Sequence, residues 1–246
     1  MQFSDWVRRW NHQQRGYRPY KDLSMEVMAD LVAAQCRGRP LRILDVAAGL
    51  GVLSHSMKTR FPGAHLTGID IDPVLLHIAR ETFGHEAVFL EGDLRQPDWA
   101  DPLDPPYDVI MTASALHWLE PRHVERIYHD AYHLLAPGGL LLNSDHMRTA
   151  LDVPLRPTFE EAIAIAQGRI KSNPGYETWE RWWDALSKEA LIKPLLVERA
   201  RRFGDVEDVD QELPPEWHLD AMKQAGFRDA AIAFHWYHEA VVAAVR

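Results

Sequence analysis

Residues 44–54 read LDVAAGLGVLS: an apolar run ending at Asp45, two alanines, then two glycines separated by one leucine. Glycines set directly after a parallel strand let the backbone approach a ligand closely, and the helix that follows offers the positive end of its dipole there. The stretch is therefore either a ligand-binding turn or a bare strand-to-helix turn, and its surroundings decide which. Short β-type runs recur at 41–46, 65–70, 87–92, 108–113 and 139–144, with helical stretches between them. Continuously apolar strands separated by helices are the pattern of a parallel sheet covered on both faces by right-handed crossovers. Near the end, DAAIAFHWY (229–237) and EAVVAAVR (239–246) follow one another too closely to pair other than antiparallel. The expected fold is α/β, with a seven-stranded, mostly parallel sheet carrying one antiparallel strand, helices on both faces and a helical lid or insertion.

A chain of 246 residues holds one main α/β domain with a smaller appended part. The expected segments are a helical cap at 1–40, a sheet core at 41–147, a helical insertion at 148–216, and a helix with closing strands at 217–246. A helix is expected over 22–36. Within the insertion, SNPGYETWERWW (172–183) breaks one helix at Pro174 and Gly175 and starts a tryptophan-rich one, and the acidic, proline-bearing stretch 204–216 reads as an exposed loop. The formal net charge of -9 supplies no basic surface for phosphate backbones, so no nucleic-acid partner is expected. A single cysteine, Cys36, permits no internal disulfide, and no apolar stretch has the length of a signal peptide or membrane span. The expectation is a cytoplasmic protein without a membrane partner, monomeric or homodimeric.

The turn's ligand is narrowed by what accompanies it. Asp70, in GIDIDP (68–73), stands at the tip of the second strand, where a carboxylate can accept both hydroxyls of a ribose. The dinucleotide fingerprint would need a further glycine where Val52, Leu53 and Ser54 stand, and the phosphate loop of NTPases would need a Lys followed by Ser or Thr. An adenosine-type ligand without phosphates fits better.

Four segments in order resemble the class I S-adenosylmethionine-dependent methyltransferase family of the small-molecule type. LDVAAGLG (44–51) is similar to the family's DxGxGxG motif, with Asp45, Gly49 and Gly51 matching and Ala47 standing at the first glycine. GIDIDP resembles the second motif, EGDLRQP (91–97) the third, and YDVIMTASALHWL (107–119) with LLAPGGLLLNSD (134–145) the fourth-strand and fifth-strand segments. The resemblance implies a Rossmann-like core with S-adenosyl-L-methionine as cofactor, contacted by Asp45, Ala47, Gly49, Gly51, Asp70, Ile71, Asp93, Leu94, Ala113 and Tyr17. It further implies transfer of the methyl group to oxygen or nitrogen of a small-molecule acceptor by in-line displacement. Because such motifs hold the cofactor without choosing the bond broken, cyclisation or rearrangement of the cofactor is a second reading, and a non-catalytic binding protein on the same fold a third. Ala47 admits two states: a left-handed one, costing about 1 kcal/mol for a residue with a Cβ, or an ordinary β or bridge one, whose methyl only narrows the space beside the methionine moiety. Binding is expected to survive.

A general base is needed if the acceptor carries a proton near neutral pH. His146, after the fifth strand, and His117, after the fourth, are the candidate catalytic residues, their ordinary pKa suiting the task; a structural role is the alternative for each. Trp118, His146, Trp179 and Trp183 are candidate acceptor contacts. Trp179, Trp182 and Trp183 share a helix face, whose plainer role is to pack the insertion onto the sheet domain. Trp6, Trp10, Tyr17 and Tyr20 precede the sheet, and the resemblance implies that their segment folds over the cofactor. Arg148, Arg156 and Arg169 are alternative clamps for an acid. His129 and His133 lack a third ligand, so no metal is expected.

Overall fold

The computed structural model describes residues 2–36, 40–148, 154–204, 211 and 213–246. Seven strands form one sheet: β1 (Arg42–Val46), β2 (His65–Asp70), β3 (Ala87–Glu91), β4 (Tyr107–Ala113), β5 (Leu135–His146), β6 (Asp229–Trp236) and β7 (Glu239–Val245), in the spatial order β3-β2-β1-β4-β5-β7-β6. β1 to β5 pair in parallel, and β7 runs antiparallel to both of its neighbours. It is the one reversed strand that the short link to β6 required. β5 begins four residues earlier than its apolar run, because Leu135 already pairs with Tyr107 before a register shift in β4.

The helices are α1 (Phe3–Gln14), α2 (Lys21–Gln35), α3 (Val52–Arg60), α4 (Pro73–Phe83), α5 (Pro121–Leu134), α6 (Arg156–Lys171), α7 (Trp179–Ser187), α8 (Lys193–Phe203) and α9 (Pro215–Gln224). Strand residues alternate between two cores with a period of two. Ile43, Val109 and Leu142 face Met28, Val32 and Met57 of α2 and α3, whereas Leu44, Ile110 and Leu141 face Val124, Ile127 and Met222 of α5 and α9. α4 starts where Asp72 accepts from the backbone N–H groups of Val74 and Leu75, with Pro73 at the first helical position. The insertion contributes α6, α7 and α8 between β5 and α9, and all the strands that carry the cofactor motifs end on one sheet edge.

A buried polar chain ties β5 to the helical layer. Asn143 Nδ2 donates to Tyr128 Oη at 2.8 Å, and Tyr128 Oη lies 2.8 Å from His218 Nδ1. Burial pushes the His218 pKa down to about 4. A histidine whose folded pKa lies below its unfolded value contributes stability that is present above the unfolded pKa, about 6.5, and lost as pH falls towards 4. Between pH 7 and 4.5, urea unfolding of the wild type is therefore expected to lose about 2 kcal/mol more than that of His218→Gln.

Candidate active site

The turn after β1 is braced from both sides by buried carboxylates. Asp45 Oδ2 accepts from the Ser54 backbone N–H at 3.1 Å and from Ser54 Oγ at 2.7 Å, fixing the start of α3. Asp70 Oδ2 accepts from the Gly49 N–H at 2.7 Å, and its Oδ1 from the Asp72 N–H at 2.8 Å. Burial raises both carboxylates, Asp45 to about 7 and Asp70 to about 6. Gly51 has φ +74°, and a Cβ there would lie 2.7 Å from the Phe89 ring. Gly49 has φ +53° but meets nothing nearer than Leu75 Cδ1 at 3.9 Å, which leaves open space over the turn.

Ala47 takes the left-handed state, with φ 58°. The β or bridge conformation is thus not the one adopted; the chain must reverse between the two braced carboxylates, and the strain falls on a residue with a Cβ. Ala47→Gly is expected to raise stability by about 0.5–1 kcal/mol in chemical denaturation, relief of strain outweighing glycine's greater unfolded entropy.

Beyond Asp70 the edge continues through Ile71 to Asp93 and the buried Leu94. Both Asp93 oxygens are engaged by Arg95, at 2.8 Å from Nε and 2.9 Å from Nη2. Burial works to raise the Asp93 pKa, but the hydrogen bonds and charge of Arg95 hold it below its ordinary value. Ile71, Glu91, Gly92, Asp93, Arg201 and Arg202 line a cleft of about 360 Å³. α8 forms its far wall: Arg199 Nε donates to Asp72 Oδ2 at 2.6 Å, and Arg202 donates to the Ile71 carbonyl at 3.2 Å and to Glu91 at 2.9 Å. Sequence reasoning passed over Arg199, Arg201 and Arg202; the arginine run in ERARRF (198–203) was their only signal.

The segment between α1 and α2 lies along the other half of the edge. Arg18, 2% exposed, donates to Glu239 Oε2 at 3.1 Å, to the Ser144 carbonyl at 3.2 Å, to Ser144 Oγ at 2.7 Å and to Ser114 Oγ. These bonds pin the stretch containing Tyr17 against β4, β5 and β7. The Tyr17 carbonyl accepts from Gln167 of α6, and Lys171 lies 5.0 Å over the Tyr17 ring. Ala113 ends β4 beside Ser114.

His117 sits in a short 3-10 turn, Leu116–Trp118, with Nδ1 2.6 Å from Asp145 Oδ1 and its backbone N–H donating to Asp145 Oδ2 at 3.1 Å. Burial works to raise the Asp145 pKa, but the charge and hydrogen bond of His117 carry it well below the usual range. His146 differs from the expectation of an ordinary pKa. Burial first, and then neighbouring His117, push it down to about 3. Its ring meets His117 edge-on at 5.0 Å and stacks on His238 at 5.3 Å.

Trp118 is 52% exposed, 4.7 Å from the His117 ring. Trp179 and Trp183 lie elsewhere, in an aromatic cluster that joins α7 to α1. Trp182 meets Trp10 at 4.8 Å and Trp6 at 5.7 Å, and donates from Nε1 to the Trp6 carbonyl at 3.1 Å; Trp183 meets Trp179, Trp182 and Trp10. The tryptophan face therefore packs the insertion onto the amino-terminal helix, whose role in this contact its sequence did not announce. Arg156 pairs with exposed Glu160, and among the described residues no helix is long and apolar enough to cross a membrane.

A model of the methyltransferase-domain family matches residues 43–139. The chain is 34% identical over 145 residues to a demethylmenaquinone methyltransferase of Thermus thermophilus, covering 55% of this chain and 62% of that protein. It is 30% identical over 173 residues to a trans-aconitate 2-methyltransferase of Methylobacterium nodulans, covering 66% of this chain and 64% of that one. The chain thus spans less than two thirds of the length of either relative. Its fold is similar to that of the S-adenosylmethionine-dependent methyltransferase SibL, with a TM-score of 0.59 at 18% identity over 95% of this chain and 57% of SibL.

Proposed function

We propose that the chain, whose residues 43–139 match the methyltransferase-domain model, is a class I S-adenosylmethionine-dependent methyltransferase that transfers a methyl group to oxygen or nitrogen of a small-molecule acceptor. The observation that carries this reading is the open left-handed turn at Gly49 and Gly51, with the Asp70 carboxylate hydrogen-bonded to it. Gly49, Gly51, Asp70, Ile71, Asp93 and Leu94 would hold the cofactor, which when bound supplies a methyl group already activated on a sulfonium. Asp70 keeps lone pairs beyond its two backbone bonds, and these would accept ribose hydroxyls. The chain's remaining tasks are to position the acceptor, exclude water and take its proton.

His117 is assigned the last of these. Its Nδ1 donates to Asp145, so in this tautomer Nε2 is the basic nitrogen, and the buried carboxylate would stabilise the imidazolium that forms. The Arg18 bonds hold the amino-terminal segment over the edge and limit the access of water. Calorimetry with S-adenosylhomocysteine tests the reading: saturable one-to-one binding is expected, and its absence would sink it. Turnover should release S-adenosylhomocysteine, whereas methylthioadenosine would move the chemistry to the second reading given above.

A further inference from the structure

The turn joining β6 and β7 brings another group of polar side chains to the same sheet edge. His146 and Glu239 are register partners across β5 and β7, and the His238 ring stacks on that of His146. Each of the three carries a buried polar atom with no hydrogen-bond partner: His146 Nδ1, His238 Nδ1 and Glu239 Oε1. Folded proteins leave few such atoms, and a run of three adjacent ones calls for a specific partner. Glu239 is wholly buried and His238 8% exposed. Arg18 holds Glu239 by Oε2 while its Nη1 and Nη2 are committed to Ser114 and Ser144, so the carboxylate is fixed in place with Oε1 unused. Trp236, 5.7 Å from His238, and Tyr237, 5.1 Å from Phe159 of α6, border the group with aromatic planes.

We propose that His146, His238 and Glu239 are the recognition site for the acceptor, and that the acceptor is a planar small molecule presenting a hydroxyl or amine hydrogen to Glu239. The proposal rests on the methyltransferase reading of the neighbouring turn. A carboxylate oxygen only accepts, so the atom it meets must bring a hydrogen; a carboxylate on the ligand would place two anions together. The neutral imidazoles can donate or accept, and complete the set. The acceptor reaches these buried atoms when α6 lifts. No α6 residue is buried, and the contacts that hold the helix to this edge are the Gln167 bond to Tyr17, Lys171 over the Tyr17 ring and the Phe159 contact with Tyr237, a small set that marks it as an element of low local stability.

The test uses the full chain saturated with S-adenosylhomocysteine, with imidazole nitrogens observed by NMR and His238→Gln assigning its signal. Catechol and benzoate are the probes. Catechol is expected to shift the His146 and His238 signals, and benzoate to bind at least tenfold more weakly. Glu239→Gln keeps an oxygen for Arg18 and presents an amide donor where Oε1 stood. It should weaken catechol at least tenfold and strengthen benzoate, with affinity for S-adenosylhomocysteine unchanged as the control for folding. Equal binding of the two probes, catechol that moves neither histidine, or a variant with unaltered preference would overturn the proposal. Failure of the wild type to bind S-adenosylhomocysteine is seen before either probe is added, and overturns the methyltransferase reading instead.

Discussion

Asparagine in place of Asp70 is expected to lower affinity for S-adenosylhomocysteine by about 100-fold or more, while leaving the free protein at pH 7.5 no less stable. The loss follows from two hydroxyl bonds to a charged acceptor, each worth about 1.5–3 kcal/mol. The stability follows from burial. Folding raises the Asp70 pKa from 3.8 to about 6, so the folded state holds its proton more tightly than the unfolded chain does. The contribution of this group is fully present below pH 3.8, and is lost as pH rises through 6. At pH 7.5 the wild type therefore carries the penalty of a buried anion, which the neutral amide removes; its one oxygen still accepts from the Gly49 N–H, while its NH2 stands where an oxygen accepted from the Asp72 N–H and offsets part of that gain. Calorimetry should report the lost affinity. Denaturation should show the variant's advantage shrinking as pH falls towards 4; an advantage independent of pH would separate Asp70 from this titration.

Replacing His117 with glutamine is expected to lower kcat by about 10²–10⁴ for an acceptor that must lose a proton, with affinity for S-adenosylhomocysteine changed less than about twofold. The geometry sets the contrast with His146. His117 has a buried carboxylate 2.6 Å from its anchoring nitrogen, whereas His146 is held neutral down to about pH 3. His146→Gln should therefore act on KM more than on kcat. Steady-state kinetics measured as release of S-adenosylhomocysteine separate the two; an unchanged kcat in the His117 variant would remove His117 from the role of general base.

The parts of the molecule that local rules build were open to reading. β2 begins at His65 and ends at Asp70 as its pattern predicts, because an apolar strand followed by Asp72 and Pro73 carries its own stop and the next helix's start. The reversed β7 followed from link length alone. Ala47 was ambiguous because its φ is set by closure between Asp45 and Asp70, which lie 25 positions apart. The His146 pKa depends on burial beside His238, and the Arg18–Glu239 pair joins the two ends of the chain. α1 carries an apolar stripe at Phe3, Trp6, Val7 and Trp10, but nothing local says that its tryptophans meet those of α7.

That seam between α1 and α7 has an optical consequence. Five of the chain's nine tryptophans, Trp6, Trp10, Trp179, Trp182 and Trp183, are gathered where the amino-terminal helix meets the insertion. Their emission is weighted towards one joint, so separation of the two helices registers as a change in colour and in energy transfer between indoles. Trp118 and Trp236 stand apart from them, beside the histidines. The intrinsic fluorescence of the unlabelled protein thus carries one signal for the joint and another for the proposed catalytic edge, over the emission of Trp99 and Trp217, which belong to neither.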